Sequence, residues 1–236
     1  WDNFYLNEIA NHTQDATDEG TIWFDDSAAE EKIIEYLENR ILGSGILGYQ
    51  ISRENCSFLD LGTGNGHFLF NLRMDSQELL PKKKVWNGRM LGVDFSEKSI
   101  ELARRIGSEK NGKEIEFKCW DIMSGDPSGI VLEGDNLNGW DIVVDKGTFD
   151  AISLSPEEGP GGCKISESYR IKVMPLIRIG GILIITSCNW TEEELKLWFC
   201  GPGLTFLDGI QYKRFCFGGQ TGQTVSSVCF QRHAEQ

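Results

Sequence analysis

The chain has 236 residues, 40% hydrophobic and 25% charged, which suits one large α/β domain and fits neither a disordered nor a fibrous composition. A formal net charge of −13 repels phosphate backbones, so nucleic acid is disfavoured as the main partner and a basic protein surface suits the chain better. No apolar run reaches the roughly 18 to 20 residues of a membrane span, and the opening WDNFYLNEIA lacks the grading of a signal peptide.

These features predict a soluble, cytoplasmic protein with no membrane partner, and nothing in them demands more than a monomer. The chain opens on Trp1 rather than Met, which leaves room for a preceding segment with a targeting signal. Seven cysteines, at 56, 119, 163, 188, 200, 216 and 229, form no C-x-x-C pair. Several lie in apolar runs such as Val228-Cys229-Phe230, so buried reduced thiols are expected. Only three histidines are present, none near a paired cysteine, and no metal site is expected.

In chain order, residues 1–29 are polar apart from Trp1, Phe4, Tyr5 and Ile22-Trp23-Phe24. Ile33, Ile34, Leu37 and Ile41 then recur at helical spacing and predict an amphipathic helix over 30–42. Apolar runs at 56–61, 90–95, 115–120, 140–144 and 181–187 read as strands. Between them 65–73, 96–106 and 166–177 read as helices, with Pro175 ending or kinking the last. Thr191 with Glu194 three residues on forms a capping box that opens a further helix through Trp198 and Phe199. The alternation predicts a parallel, doubly wound sheet. Near the end, 204–212 and 224–232 leave no room for a crossover helix and should pair antiparallel. Loops are expected at 74–88, 125–139 and 155–163, the first carrying Lys82-Lys83-Lys84, read as a solvated surface feature. A single domain over 1–236 follows, with 1–50 as a covering segment and helix and 51–236 as a Rossmann-like core.

The strongest motif is Phe58-Leu59-Asp60-Leu61-Gly62-Thr63-Gly64-Asn65-Gly66, an apolar strand ending in an acid before alternating glycines that open a helix. Glycine permits φ > 0 and close approach of a ligand, and the helix start beyond it offers free N–H groups. A dinucleotide fingerprint needs a third glycine at 67, where His67 stands instead. Leu91-Gly92-Val93-Asp94 ends the next strand in a carboxylate able to accept from ribose hydroxyls. Phe117-Lys118-Cys119-Trp120-Asp121-Ile122 supplies an acid for an adenine amino group and an apolar cover for its ring. Three acids at three successive strand ends make a consistent nucleoside site.

The run Asp145-Lys146-Gly147-Thr148-Phe149-Asp150-Ala151-Ile152-Ser153-Leu154 resembles the signature of the lysine methyltransferases that modify translation elongation factor 1-alpha. Thr186-Ser187-Cys188-Asn189-Trp190-Thr191, Phe215-Cys216-Phe217-Gly218-Gly219 with Gly222 and Val225, and Ile22-Trp23-Phe24 extend the likeness along nearly the whole chain. The resemblance implies a seven-stranded class I sheet, mostly parallel with an antiparallel C-terminal hairpin, helices on both faces, and S-adenosylmethionine as methyl donor, with S-adenosylhomocysteine as product. It implies cofactor contacts from Trp23, Asp60, Gly62, Thr63, Gly64, Asn65, Gly66, Asp94, Phe95, Asp121, Ile122 and Asp145, and a catalytic role for Asp145 and Lys146. The inserts at 74–88 and 125–139 are longer than the family pattern, which puts their substrate contacts in doubt. Phe24 and Trp190 join Trp23 as possible walls of a lysine channel, with core packing as the alternative. Asp145 or Asp150 is expected to dock the lysine cation, so Asp145→Ala should harm turnover more than fold. A small-molecule methyltransferase and a non-catalytic protein of the same fold are the competing readings.

Overall fold

The computed structural model describes residues 1–48, 50–73, 85–110, 114–156, 164–213, 215–217, 220–222 and 224–235. The apolar runs form β1 (Phe58–Leu61), β2 (Met90–Asp94), β3 (Glu116–Cys119), β4 (Trp140–Lys146), β5 (Ile177–Ser187), β6 (Leu204–Ile210) and β9 (Ser226–Arg232) of one sheet. A separate hairpin, β7 (Phe215–Phe217) with β8 (Gln220–Gly222), precedes β9 and was not expected. The order is β3-β2-β1-β4-β5-β9-β6. The first five strands run parallel, and β9 inserts antiparallel between β5 and β6. Here 204–212 and 224–232 pair as expected, with β9 also completing β5.

Strand side chains alternate between two cores. Phe58, Ile142, Val144, Ile182 and Ile184 face one with Ile33, Leu37, Phe68 and Ile100. Leu59, Leu61, Val143, Leu183 and Ile185 face the other with Phe149, Tyr169, Leu195 and Phe199. The first core carries α2 (Ala29–Tyr36), α3 (His67–Arg73) and α4 (Glu97–Glu109); the second carries α5 (Thr148–Ser153), α6 (Tyr169–Val173) and α7 (Glu192–Phe199). A π-helical turn, Leu37–Ile41, continues α2. The capping box of α7 is present, with Glu194 N donating to Thr191 Oγ1 and Thr191 N to Glu194 Oε2.

Three local expectations are corrected. Residues 2–14, read as part of a polar segment, form α1 (Asp2–Gln14), which buries Tyr5, Ile9 and His12 and packs on α4. The helix expected over 166–177 is reduced to a 3₁₀ turn, the short α6 and another 3₁₀ turn holding Pro175, and Ile177 already belongs to β5. Proline lacks the N–H a longer helix needs. Of the described cysteines, Cys56 and Cys229 are buried, but Cys119, Cys188 and Cys200 are exposed, because they stand at the ends of strands and helices rather than within them. Among the described residues no helix is long and apolar enough to cross a membrane.

The loop at 125–139 packs at the starting ends of the strands. Asn136 donates to Ser57 Oγ at 3.0 Å, and Arg89 reaches Glu133 Oε1 at 2.9 Å. That end lies opposite the strand-end acids, so the later part of the insert is placed away from the expected site, whereas its start stays beside Asp121, with Gly125 N donating to Asp121 O at 2.7 Å. Residues 74–84, including Lys82-Lys83-Lys84, lie outside the described residues.

Candidate active site

Strand order reverses between β1 and β4, both flanked by parallel neighbours, and a crevice at such a switch point is where open α/β sheets bind ligands. Leu61 of β1 stands in register with Asp145 of β4, so the glycine-rich turn and the Asp-Lys-Gly-Thr turn leave the sheet side by side. They touch: Thr148 Oγ1 donates to Leu61 O at 2.7 Å, and a Cβ added at Gly62 would lie 1.9 Å from that oxygen. Gly62, Gly64 and Gly66 all hold positive φ, the conformation in which a side chain is strained.

Asp60 is buried beneath this turn and accepts from Thr63 Oγ1 at 2.8 Å. Burial, partly offset by that hydrogen bond and by the charge of Lys146, pushes its carboxyl up to about 7. Asp94 accepts from Gly64 N at 3.2 Å on one oxygen and from Ser96 N at 2.9 Å on the other. Burial raises its pKa, while these backbone donors oppose the rise. Each carboxylate oxygen offers two acceptor sites, so both retain capacity for a diol. Asp121 lies two residues past β3 and accepts from Met123 N and Ser124 Oγ at 2.8 and 2.6 Å. Ile122 is buried beside it, whereas Phe95, after Asp94, is 58% exposed. Asp60, Asp94, Asp121 and the three glycines therefore share one edge of the sheet.

Asn65 and Trp23 sit differently. Asn65 Nδ2 donates to Glu19 O at 2.9 Å and Thr21 O at 3.3 Å, tying the glycine-rich turn to the N-terminal segment. The Trp23 ring stacks outward, 5.8 Å from Trp1 and 6.1 Å from Phe4, and is 42% exposed. Its carbonyl accepts from Lys146 Nζ at 3.2 Å, and the Phe24 ring lies against Gly147. Residues 19–24 thus cross above the glycine-rich turn as a cover. Tyr5 of α1 adds its hydroxyl over the same turn, 3.0 Å from where a Gly64 Cβ would stand. Tyr5 was absent from the residues expected at the site. The helical spacing of Tyr5, Ile9 and His12, four residues and then three, was the available signal.

A methyltransferase domain matches residues 52–221, and the chain is 39% identical over 232 residues to protein-lysine N-methyltransferase EFM4 of Saccharomyces cerevisiae, covering 98% of this chain and 91% of that one. The chain belongs to the protein-lysine methyltransferases of that domain family. EEF1A lysine methyltransferase 2 of Danio rerio is 32% identical to it, over 98% of this chain and 85% of the relative. In fold the methyltransferase is similar to magnesium protoporphyrin IX methyltransferase from Synechocystis PCC 6803 with bound SAM, at a TM-score of 0.56, 12% identity and 98% coverage of both chains.

The residues present fit S-adenosylmethionine, the methyl donor of this family. The positive-φ glycine turn would hold its methionine end, Asp94 the ribose, and Asp121 with Ile122 the adenine.

The methyltransferase uses its later acids otherwise. Asp145 is fully buried; it accepts from Thr148 N at 2.8 Å, from Phe149 N at 3.0 Å and from the Tyr169 hydroxyl. It caps α5 and anchors α6, and burial, opposed by these donors, pushes its carboxyl up to about 7. Asp150 accepts from Ser187 Oγ and from Cys188 N at 2.8 Å, shaping the turn after β5. Asp145, fully buried with three donors, is closed to an incoming cation, and Asp150, also buried, has both oxygens engaged in the turn after β5. Trp190 packs 6.2 Å from Phe149 and 5.5 Å from Trp198, and its indole N–H donates to Ser153 Oγ, so its ring serves packing rather than a channel wall.

Proposed function

We propose that this methyltransferase transfers methyl groups from S-adenosylmethionine to a lysine of translation elongation factor 1-alpha. The observation that carries the reading is the Asp60, Asp94 and Asp121 edge beneath glycines with positive φ, in a chain similar along nearly all its length to relatives named EEF1A lysine methyltransferase 2. The bound cofactor supplies an electrophilic methyl, which a neutral amine attacks in line with the departing sulfur. Free lysine is neutral in only about one molecule in 2,500 at pH 7, so the site has to favour the neutral amine or wait for it.

Asp145 and Lys146 act here from behind the reacting atoms. Asp145 holds the start of α5, and Lys146 holds the cover through the Trp23 carbonyl. The rate then comes chiefly from alignment, for which well-oriented reactions supply roughly 7 to 11 kcal/mol. The target lysine approaches past the cover, where Asp25 and Asp26 are exposed on the turn after Phe24 and suit a cationic side chain. With a net charge of −13, a basic protein surface is drawn to the same face. The protein works in the cytoplasm as a monomer.

The test is intact and peptide mass spectrometry of purified elongation factor 1-alpha after incubation with the protein and S-adenosylmethionine. Single-methyl increments on one lysine, missing with Asp94→Ala, are expected. No increment, although calorimetry shows the cofactor bound, would leave the methyltransferase and remove the substrate.

A further inference from the structure

One buried carboxylate lies outside the cofactor contacts, yet three elements converge on it. Glu30, in the first turn of α2, is 3% exposed. Its Oε2 accepts from His67 Nδ1 at 2.7 Å and from Asn71 Nδ2 at 3.0 Å, both on α3, the helix that the glycine-rich turn opens. An ionised carboxylate only accepts, so Nδ1 of His67 carries the hydrogen. Its Oε1 stands 3.4 Å from Lys146 Nζ at the end of β4. Burial by itself raises the pKa of Glu30, but the His67 hydrogen bond, the Lys146 charge and the Asn71 amide together bring it below the ordinary value. The acid is therefore charged.

Lys146 passes that charge on to the cover. Its ammonium, with the side chain 13% exposed, donates to Trp23 O and lies 6.0 Å from the centre of the Phe24 ring. From within the glycine-rich turn, Asn65 holds Glu19 O and Thr21 O. At the same end Lys110 Nζ donates to Glu19 Oε1 and Thr21 Oγ1 to Glu8 Oε1, so the cover is fastened near residues 19–21 by several groups, while at Trp23 it depends on an ammonium that is mostly withdrawn from water. A buried ammonium needs an anionic partner to stay where it is. Glu30 stands within reach, and the same carboxylate grips α3, so the cover and the glycine-rich turn are referred to one anchor.

We propose that Glu30 is a positioning residue for the cofactor: by fixing Lys146 and α3 together it keeps residues 19–24 closed over the glycine-rich turn, and so sets cofactor retention rather than the methyl-transfer step. The proposal rests on the methyltransferase reading of the site.

Glu30→Gln in the full chain keeps the side-chain volume and removes the charge. Calorimetry with S-adenosylhomocysteine, KM and kcat for S-adenosylmethionine, and a urea curve that fixes the folded fraction are measured together. If the closed population falls tenfold, the apparent Kd and KM rise about tenfold, while kcat at saturating cofactor stays within about twofold. The double variant Glu30→Gln with Lys146→Gln is expected to bind no worse than the weaker single one, since both remove the same link. A merely structural role would lower the urea midpoint and leave Kd and KM alone, and that result overturns the proposal, as does a double variant whose losses add. Should Glu30→Gln fail to fold, Lys146→Gln keeps Glu30 with His67 and Asn71 and reads the same link; wild-type affinity in that folded variant also overturns it. Wild-type protein that binds no S-adenosylhomocysteine removes the methyltransferase reading itself and the role of Glu30 with it. Wild-type binding with an unaffected Glu30→Gln removes only the role of Glu30.

Discussion

The two halves of the parallel sheet carry aspartates at or near their strand ends and put them to different use. On the β1, β2 and β3 side, Asp60, Asp94 and Asp121 accept from hydroxyls and backbone N–H groups of their own turns and neighbouring loops and keep acceptor capacity. On the β4 side, Asp145 takes two backbone N–H groups of α5 and the Tyr169 hydroxyl, and Asp150 takes Ser187 and Cys188. An acid near a strand end is thus a ligand group or a fastener according to where its donors come from: Asp94 and Asp121 take theirs from adjoining turns, while Asp145 and Asp150 tie a helix start to Tyr169 and to the turn after β5. Tyr169 and Ser187, which decide the matter for Asp145 and Asp150, come from distant parts of the chain.

The contrast can be broken most sharply at Asp94. Asp94→Ala removes an acceptor of two charge-assisted hydrogen bonds to the ribose, each worth roughly 1.5 to 3 kcal/mol, so the Kd for S-adenosylhomocysteine should rise about 100-fold or more by calorimetry. Next in size, Asp145→Ala strands the buried Tyr169 hydroxyl and two helix-start N–H groups and should cost about 2 to 4 kcal/mol in urea unfolding. That reverses the expectation from sequence, in which this substitution chiefly harms turnover. Tyr169→Phe should lose less, since it removes one donor and leaves the cap.

Asp60 gives a pH test. Its pKa in the folded protein is about 7, raised chiefly by burial from an ordinary value near 3.8. The stability this carboxyl contributes is therefore complete below the unfolded value and is lost as pH rises through about 7. Cofactor binding is expected to run the other way, because an ionised Asp60 would pair with the ammonium of the methionine end. Affinity should weaken by up to about tenfold per pH unit below 7 and level off above it. Asp60→Asn should flatten that dependence. The smallest effect is expected outside both sets of acids. Ala28 holds φ 51, a left-handed conformation costing roughly 1 to 2 kcal/mol, so Ala28→Gly should gain about 0.5 kcal/mol after its entropic loss.

Local pattern carried much of this in the sequence. The strands of the parallel sheet, the capping box of α7 and the glycine-rich turn all follow from short-range periodicity or spacing, and each stands within a few residues of its expected place. The N-terminal helix was missed because its apolar face is only Tyr5 and Ile9 with His12, set among polar residues. The helix expected over 166–177 was overextended because Pro175 stops helical hydrogen bonding and Ile177 already pairs with Trp140. Within the site, glycines and acids were legible because backbone geometry and charge act where they stand. The work of Asp145, Lys146 and Glu30 was not, since it depends on Tyr169, Trp23 and His67, joined to them only by the tertiary fold.

The most direct measurement is calorimetric titration of S-adenosylhomocysteine into wild type, Asp94→Ala and Asp145→Ala, with a urea curve for each. Loss of binding by the folded fraction for Asp94→Ala, whose urea midpoint also falls because Gly64 N and Ser96 N lose their acceptor, and near-normal affinity of the folded fraction at a lowered midpoint for Asp145→Ala, is the expected pair of results. A folded Asp145→Ala that loses the ligand as completely as Asp94→Ala would contradict the division between ligand acids and fastening acids.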